Sequence, residues 1–344
     1  MSDSPTVEPA SPGPTGLGSS LPARIVPGAS WPGECPVCGP SRLKLLPFRY
    51  AYRGAYLHGV ACARCTLTFL HPMPGDEELR ELYSEEYFTS CTEECGAHGR
   101  RAYVELAEET AASRAASARL VDRSLRRHLG LPEGGNFLEV GCGPGHFLAE
   151  MTRLGWRTRG LEISEFAARE AREALGLDVV QGAIAPGVLP QEAFDAAFLG
   201  DVLEHLPRPL ESLAVVRAAL RPGGILAVAV PSTLNLVSGK LGLGLYRALG
   251  RFKTLRIPPY HLFEYTPRTL RLVLTHAGFE VIALRQGAVG IGRMGLRGHP
   301  LENAGKVALQ VLALTTSRVF NVGGDRLLAL ARRSGWGAAA GVSE

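Results

Sequence analysis

From Asn136 onward the sequence alternates short apolar runs with stretches of helical spacing, and this alternation limits the possible folds more than any other feature. The apolar runs fall at 137–140, 157–163, 178–181, 194–200 and 225–230. Between them an apolar residue returns every three or four positions. Strands separated by helices call for a mostly parallel sheet covered on both faces, an α/β fold. A helix over 267–277, a strand over 279–286, a helix over 302–320 and a terminal strand over 326–332 complete the unit, which spans 133–335. An irregular insert at about 233–262 interrupts it and is expected to form a mobile lid or acceptor wall.

The remaining chain divides by composition. Residues 1–32 are rich in Pro, Gly and Ser, carry almost no large apolar groups and read as a disordered tail. A small module over 33–75 holds two C-x-x-C pairs. Residues 76–132 form a helical linker: "GDEELRELYSEEYF" starts with an acidic first turn, and 100–129 is rich in Ala, Glu and Arg before Gly130 and Pro132. Residues 336–344 read as a flexible end. The formal net charge of +4 is mild, and no dominant run of Lys or Arg marks a nucleic-acid face. No basic segment precedes an apolar run at the N-terminus, and no window approaches 18 uninterrupted apolar residues. The expectation is a cytoplasmic protein with no membrane partner.

The stretch "NFLEVGCGPGHFL" places three glycines where the first strand of the alternating region ends. Glycine permits backbone conformations that a side chain forbids and lets a ligand approach the main chain. A strand, a glycine turn and a helix N-terminus in that order make a cleft for a nucleotide-like ligand, although a tight structural turn has the same sequence. Glu162 ends the next strand, in "GLEIS", where an acid accepts hydrogen bonds from both hydroxyls of a ribose. The order G-C-G-P-G departs from the dinucleotide fingerprint, and an acid, Glu139, precedes the turn.

"LEVGCGPGHFL", "GLEIS", "FDAAFLGDVLEHLPRP" and "LRPGGIL" together resemble the successive motifs of the seven-strand S-adenosylmethionine-dependent methyltransferases. The resemblance covers about 134–332. It implies a Rossmann-like sheet of seven strands, the last antiparallel, with helices on both faces and S-adenosylmethionine across the carboxyl ends of the first strands. Glu139, Gly141, Gly143 and Gly145 would line the methionine and ribose part of the cofactor. Glu162 would take the ribose hydroxyls, and Asp201 would sit under the sulfonium and amino group. Cys142, Ile163 and Val202 belong to the same expected set, Cys142 also reading as a small buried filler. Ala183 stands where the family often has an acid that contacts the adenine.

Cys35 and Cys38 form one C-x-x-C pair and Cys62 and Cys65 another, 23 residues apart. Two knuckle turns of this kind bring four thiolates around one structural Zn²⁺ in a ribbon-like module, and a closed set of four leaves no catalytic position. A redox dithiol and plain buried cysteines are the rival readings. The layout also resembles a methyltransferase subgroup with an N-terminal zinc-binding module, whose members act on small molecules including sugars and natural-product scaffolds. Cys91, Cys95 and His98 have no standard metal spacing.

Two clusters offer a proton acceptor. "DVLEHL" puts Glu204 and His205 just past the fourth strand, and "IPPYHLFEYTP" puts Tyr260, His261, Glu264 and Tyr265 before a helix start at Thr266-Pro267. Histidine titrates near neutrality and is the usual general base for a hydroxyl, so His205 and His261 are the catalytic candidates; a structural histidine beside the cofactor is the alternative. The expected function is methyl transfer to a small-molecule acceptor at oxygen. Methylation of RNA, methylation of a sugar at carbon, and a non-catalytic binding protein are the rivals.

Overall fold

The computed structural model describes residues 25–82, 87, 111–256, 259–290 and 300–334. Cys91, Cys95, His98, the first part of the helix expected over 100–129 and residues 336–344 lie outside them.

Two sheets organise these residues. The first begins with β1 (Ser30–Cys35), β2 (Gly39–Tyr52), β3 (Ala55–Cys62) and β4 (Thr68–His71), an antiparallel meander followed by helix α1 (Asp76–Leu82). β1 starts inside the segment expected to be tail. The reason is Trp31, buried at 6% exposure with its ring 5.9 Å from that of His71, one large apolar group among residues of low-order composition.

Helix α2 (Ala111–Leu129) then leads into the second sheet. Its buried residues Ala118, Val121, Asp122 and Leu125 follow the i, i+3, i+4, i+7 pattern of one helical face. Asp122 is satisfied there by the indole N–H of Trp156 at 2.8 Å and by Arg126 at 2.6 Å.

The alternating region gives β5 (Asn136–Val140), α3 (His146–Arg153), β6 (Arg157–Glu162), α4 (Glu165–Glu173), β7 (Val179–Gln181), β8 (Phe194–Gly200), α5 (Pro209–Ala219) and β9 (Leu220–Pro231). After these come α6 (Val237–Ala248), β10 (Lys253–Leu255), β11 (Phe263–Glu264), α7 (Pro267–His276), β12 (Phe279–Gly287), α8 (Pro300–Phe320) and β13 (Arg326–Arg333). The second sheet has seven strands in the order β12-β13-β9-β8-β5-β6-β7, and β13 runs antiparallel to both its neighbours. This is the α/β architecture expected, down to the antiparallel last strand. Parallel strands buried on both faces read as continuous apolar runs, and β8, FDAAFLG, is buried at Phe194 and from Ala196 to Leu199.

The insert expected at about 233–262 folds into α6 and β10, and β10 leaves the second sheet altogether. It pairs in parallel with β2, Lys253–Leu255 against Phe48–Tyr50, while β11 pairs antiparallel with β4. The N-terminal sheet therefore has six strands, two of them from the insert and its exit. Arg49 fixes the junction. It donates to the Thr254 hydroxyl at 3.1 Å, and its guanidinium lies 3.7 Å over the Tyr56 ring and 5.2 Å from that of Phe252. One buried apolar cluster runs from Leu43, Val60 and Leu67 of the first sheet to Leu203, Leu226 and Val228 of the second, so the two sheets share a core.

Candidate active site

The glycine turn after β5 closes on two supports. The Gly141 amide donates to the Leu161 carbonyl at 2.7 Å, and the Gly143 amide donates to Glu162 Oε2 at 2.8 Å. The other carboxylate oxygen of Glu162 accepts the Ser164 amide at 2.8 Å, at the N-terminus of α4. Glu162 thus ties the glycine turn to the next helix start. Burial raises its pKa, and the hydrogen bonds from Ser164 and Gly143 oppose that rise.

Gly141, Gly143 and Gly145 all have positive φ, at 68°, 52° and 81°. A Cβ at Gly141 would meet Val202 Cγ2 at 2.5 Å, and one at Gly145 would meet Leu177 Cδ1 at 2.5 Å. Packing behind the turn therefore demands glycine at 141 and 145 whether or not a ligand lies in front. Cys142 points inward: its side chain is buried, and Sγ would lie 2.6 Å from a Cβ at Gly160. Any contact of Cys142 with a ligand is left to its backbone. Ile163 is partly exposed, and its carbonyl accepts from Gln181 Nε2 at 3.1 Å.

Glu139 stands in β5 just before the turn, 5% exposed, and among the described residues its Oε2 has no hydrogen-bond partner. Burial, followed by the charge of Glu162, raises its pKa well above the ordinary carboxylate value. A buried, unsatisfied carboxyl oxygen is costly, and a cationic amino group in the crevice would satisfy it. A left-handed glycine cradle, an orphaned acid and a second acid at the neighbouring strand end are features that suit S-adenosylmethionine, with its amine, sulfonium and ribose.

A second cluster gathers at the same carboxyl edge of the sheet. Asp201 follows β8 with φ 56°, and its Oδ2 accepts from Arg326 Nη2 at 2.6 Å across from β13. The expectation placed Asp201 under the cofactor's cationic end and omitted Arg326, which lies 125 residues further along the chain. No motif marks Arg326; only the pairing of β13 beside β9 brings it to this edge. Burial works against its charge, but Asp201 beside it outweighs burial and raises its pKa.

His205 and His261 meet here, their ring centroids 5.1 Å apart. The Tyr260 carbonyl accepts from His205 Nδ1 at 2.6 Å, which assigns the proton to that nitrogen. Nε2 faces Glu204 Oε1 at 3.7 Å. Glu204 is fully buried, and among the described residues neither of its carboxyl oxygens has a hydrogen-bond partner. Burial, reinforced by the negative charge of Asp201, raises its pKa well above normal and favours the protonated acid. Burial lowers the pKa of both histidines, that of His261 to about 4 with help from His205, so both imidazoles are neutral at pH 7. Glu264, on β11, is raised by burial to about 7, against the opposing hydrogen bonds of Thr233.

Residues 260–262 owe their position to both sheets. The Leu262 amide donates to the Glu204 carbonyl, and the Leu262 carbonyl accepts from the Leu70 amide of β4, each at 2.9 Å. A capping box at Thr266, with Pro267 as the first helical residue, starts α7 where the sequence indicated. The four cysteines form the third cluster. Cys35 and Cys65 sulfurs are 3.7 Å apart, those of Cys38 and Cys62 3.4 Å, and all four lie within 4.8 Å of one another with no disulfide. A tetrahedral ion with metal–sulfur bonds of about 2.3 Å separates its thiolates by about 3.8 Å. Burial, followed by the hydrogen bond with Cys62, pushes the Cys38 thiol up to about 12, and a cation held among the four sulfurs would favour their thiolates instead.

A family model described as a methyltransferase domain matches residues 111–284. Among curated proteins, the ubiquinone biosynthesis O-methyltransferase of Caulobacter vibrioides is 34% identical over 178 residues, 48% of this chain and 66% of that protein. A trans-aconitate 2-methyltransferase of Rhodopseudomonas palustris is 32% identical over 117 residues, 33% of this chain and 45% of that protein. This chain thus spans less than two thirds of the length of these relatives. Among solved structures, a SAM-dependent methyltransferase from Archaeoglobus fulgidus aligns at 19% identity with a TM-score of 0.42, over 62% of this chain and 94% of that one. With the family match covering half its length, this chain belongs to the methyltransferase-domain family.

Proposed function

We propose that this chain moves a methyl group from S-adenosylmethionine to the hydroxyl of a small-molecule acceptor. The observation that carries the reading is Glu162, held between the glycine turn and the start of α4, above the orphaned oxygen of Glu139. When bound, S-adenosylmethionine supplies an already activated methyl on its sulfonium, so the protein's task is alignment rather than creation of a leaving group. Glu162 would hold the ribose hydroxyls, Glu139 would meet the amino group, and the backbone of 141–145 would shape the floor. Asp201, with Arg326 as its ion-pair partner, sits at the edge between the donor crevice and the histidine pair. The two relatives above are methyltransferases by name, one of them an O-methyltransferase, which supports transfer to oxygen without identifying the acceptor.

His261 would take the hydroxyl proton, with His205 fixing its surroundings through the bond to Tyr260. A base with a pKa near 4 is weak at neutral pH, whereas the range of Glu264 matches it. Both residues therefore enter the test. Calorimetry with S-adenosylmethionine and S-adenosylhomocysteine comes first, and binding of neither would end the reading. A labelled-methyl screen against cellular small molecules follows, with wild type, His261→Ala and Glu264→Gln. Full transfer by His261→Ala would remove its role as base, and transfer only to RNA would move the acceptor to another class.

The same reading assigns a structural Zn²⁺ to Cys35, Cys38, Cys62 and Cys65. The support is the separation of their sulfurs and the burial of three of the four. Four thiolates close the coordination sphere, so the ion would act on folding and not on the methyl group. Elemental analysis should find one zinc per chain.

A further inference from the structure

Helices α6 and α8 touch at the carboxyl edge of the seven-stranded sheet, and each leaves a row of apolar side chains facing outward. Leu241, Leu245 and Leu249, four residues apart, are 59–65% exposed on and just past α6. Leu312, Val319 and Phe320 on α8 are 51–69% exposed. Single exposed leucines are ordinary on a protein surface, but two adjoining helices that both present large aliphatic and aromatic groups are not.

Along these rows the charges that the two helices themselves carry have one sign. Lys240, Arg247 and Arg251 are exposed along α6 and its exit, and Arg318 is exposed on α8. The sequence holds no Asp or Glu between Glu211 and Glu264, nor between Glu302 and Asp325. Both helices are thus free of acid over their exposed apolar stretches, in a chain with 33 acidic residues in all. An apolar face bordered only by cations is the pattern of a helix that lies in the interface of an anionic bilayer, its aliphatic groups among the acyl chains and its cations among the headgroups.

The place in the fold gives such contact a direction. α6 leaves the carboxyl end of β9, and α8 lies between the carboxyl end of β12 and the start of β13. The Ser232 amide bonds the Asp325 carbonyl at 2.7 Å, and Asn235 bonds the Gly324 carbonyl at 2.8 Å, which joins the approaches to the two helices. Arg326, next in the chain, reaches Asp201. The apolar rows therefore border the edge of the sheet that carries the candidate active site.

We propose that the joint face of α6 and α8 docks this protein on the surface of an anionic phospholipid membrane, with the edge that bears the site turned toward it. This is attachment to a surface: no helix among the described residues is long and apolar enough to cross a membrane. The sequence-based expectation of no membrane partner rested on the lack of a spanning segment, which does not bear on a face assembled from two helices.

The test is co-sedimentation of the full chain with vesicles of phosphatidylcholine alone and with added phosphatidylglycerol, at low and high salt. The expected result is binding to the anionic vesicles that falls as salt rises. Leu245→Ser with Phe320→Ser should weaken it at least about tenfold, and Lys240→Glu with Arg247→Glu by a similar factor, at unchanged circular dichroism and melting temperature. These positions are exposed, and none belongs to the donor crevice or the histidine pair. Absence of binding to anionic vesicles would overturn the proposal. So would a stable dimer, seen by light scattering, that the Leu245→Ser and Phe320→Ser pair dissociates, since the face would then be covered by a second copy. Neither outcome depends on whether the chain transfers a methyl group.

Discussion

The donor crevice and the acceptor side share the carboxyl edge of one sheet but are built in opposite ways. The donor crevice comes from one continuous stretch, residues 136–164, wired by hydrogen bonds from its own backbone amides, such as Gly141 to the Leu161 carbonyl and Gly143 to the Glu162 carboxylate 19 residues on. The acceptor side gathers Asp201, Glu204, His205, His261, Glu264 and Arg326 from segments separated by more than fifty residues, and most of these groups are ionisable and desolvated. Local wiring makes a site that tolerates damage elsewhere. A site assembled from distant segments depends on every element that delivers a side chain, including strands β1 to β4 of the first sheet, which hold no candidate reacting group themselves.

The largest expected effect tests that dependence. Cys62→Ser would open the four-cysteine cluster at the end of β3, and the loss should spread through β4 and β11 to Leu262 and His261. Zinc should fall from one per chain to none, and methyl transfer should drop on the order of 100-fold. Calorimetry should still give a cofactor affinity within about threefold of wild type, because no cysteine of the cluster touches the donor crevice. An equal loss of cofactor binding would show that the two sides are not separable.

The converse change comes next in size. Glu162→Gln keeps the shape but weakens acceptance of hydrogen bonds, and charge-assisted bonds contribute about twice what neutral ones do. Cofactor affinity should fall about 10- to 100-fold, with the rate at saturating cofactor little changed. A fall in saturated rate without loss of affinity would place Glu162 outside the ribose site.

The same contrast decides what could be read from sequence alone. Glu139, the three glycines and Glu162 sit within one strand–turn–helix–strand passage whose residue types follow from local geometry, and their mutual placement was legible. His205 and His261 were legible as candidates, but their meeting was not, because it requires β11 to leave the second sheet and pair with β4. Arg326 gave no signal at all: an arginine at the start of a strand is common, and only the strand order places it on Asp201. The capture of β10 by β2 was likewise hidden, since three residues, Lys253–Leu255, carry too little pattern to announce a strand. The cysteine pairs announced their cluster because a metal knuckle needs ligands at fixed short spacing.

A smaller effect asks what the glycines contribute. Gly141→Ala places a side chain at φ 68° and against Val202, so it should destabilise the fold by about 1–3 kcal/mol in chemical denaturation. Val202→Ala in the same chain should recover the steric part and leave the cost of the backbone conformation. No recovery would mean that φ alone enforces glycine there.

The smallest effects separate the acceptor groups by the sign of their pH dependence. Glu264 has a folded pKa near 7, above its ordinary 4.5, so between those values the native state holds a proton that the unfolded chain has released. Its contribution to stability therefore declines as pH rises through that window, and Glu264→Gln should flatten the decline. His261 has a folded pKa near 4, below its ordinary 6.5, so in that window the unfolded chain holds the extra proton and stability rises with pH. His261→Asn should flatten the rise. Both groups are half-buried, so solvent screening keeps each contribution under about 2 kcal/mol. Urea unfolding of the two variants across the overlap should give differences from wild type that slope in opposite directions. Slopes of the same sign would show that one of the two groups is not desolvated as its surroundings require, and the acceptor side would then be more open to water than the donor crevice beside it.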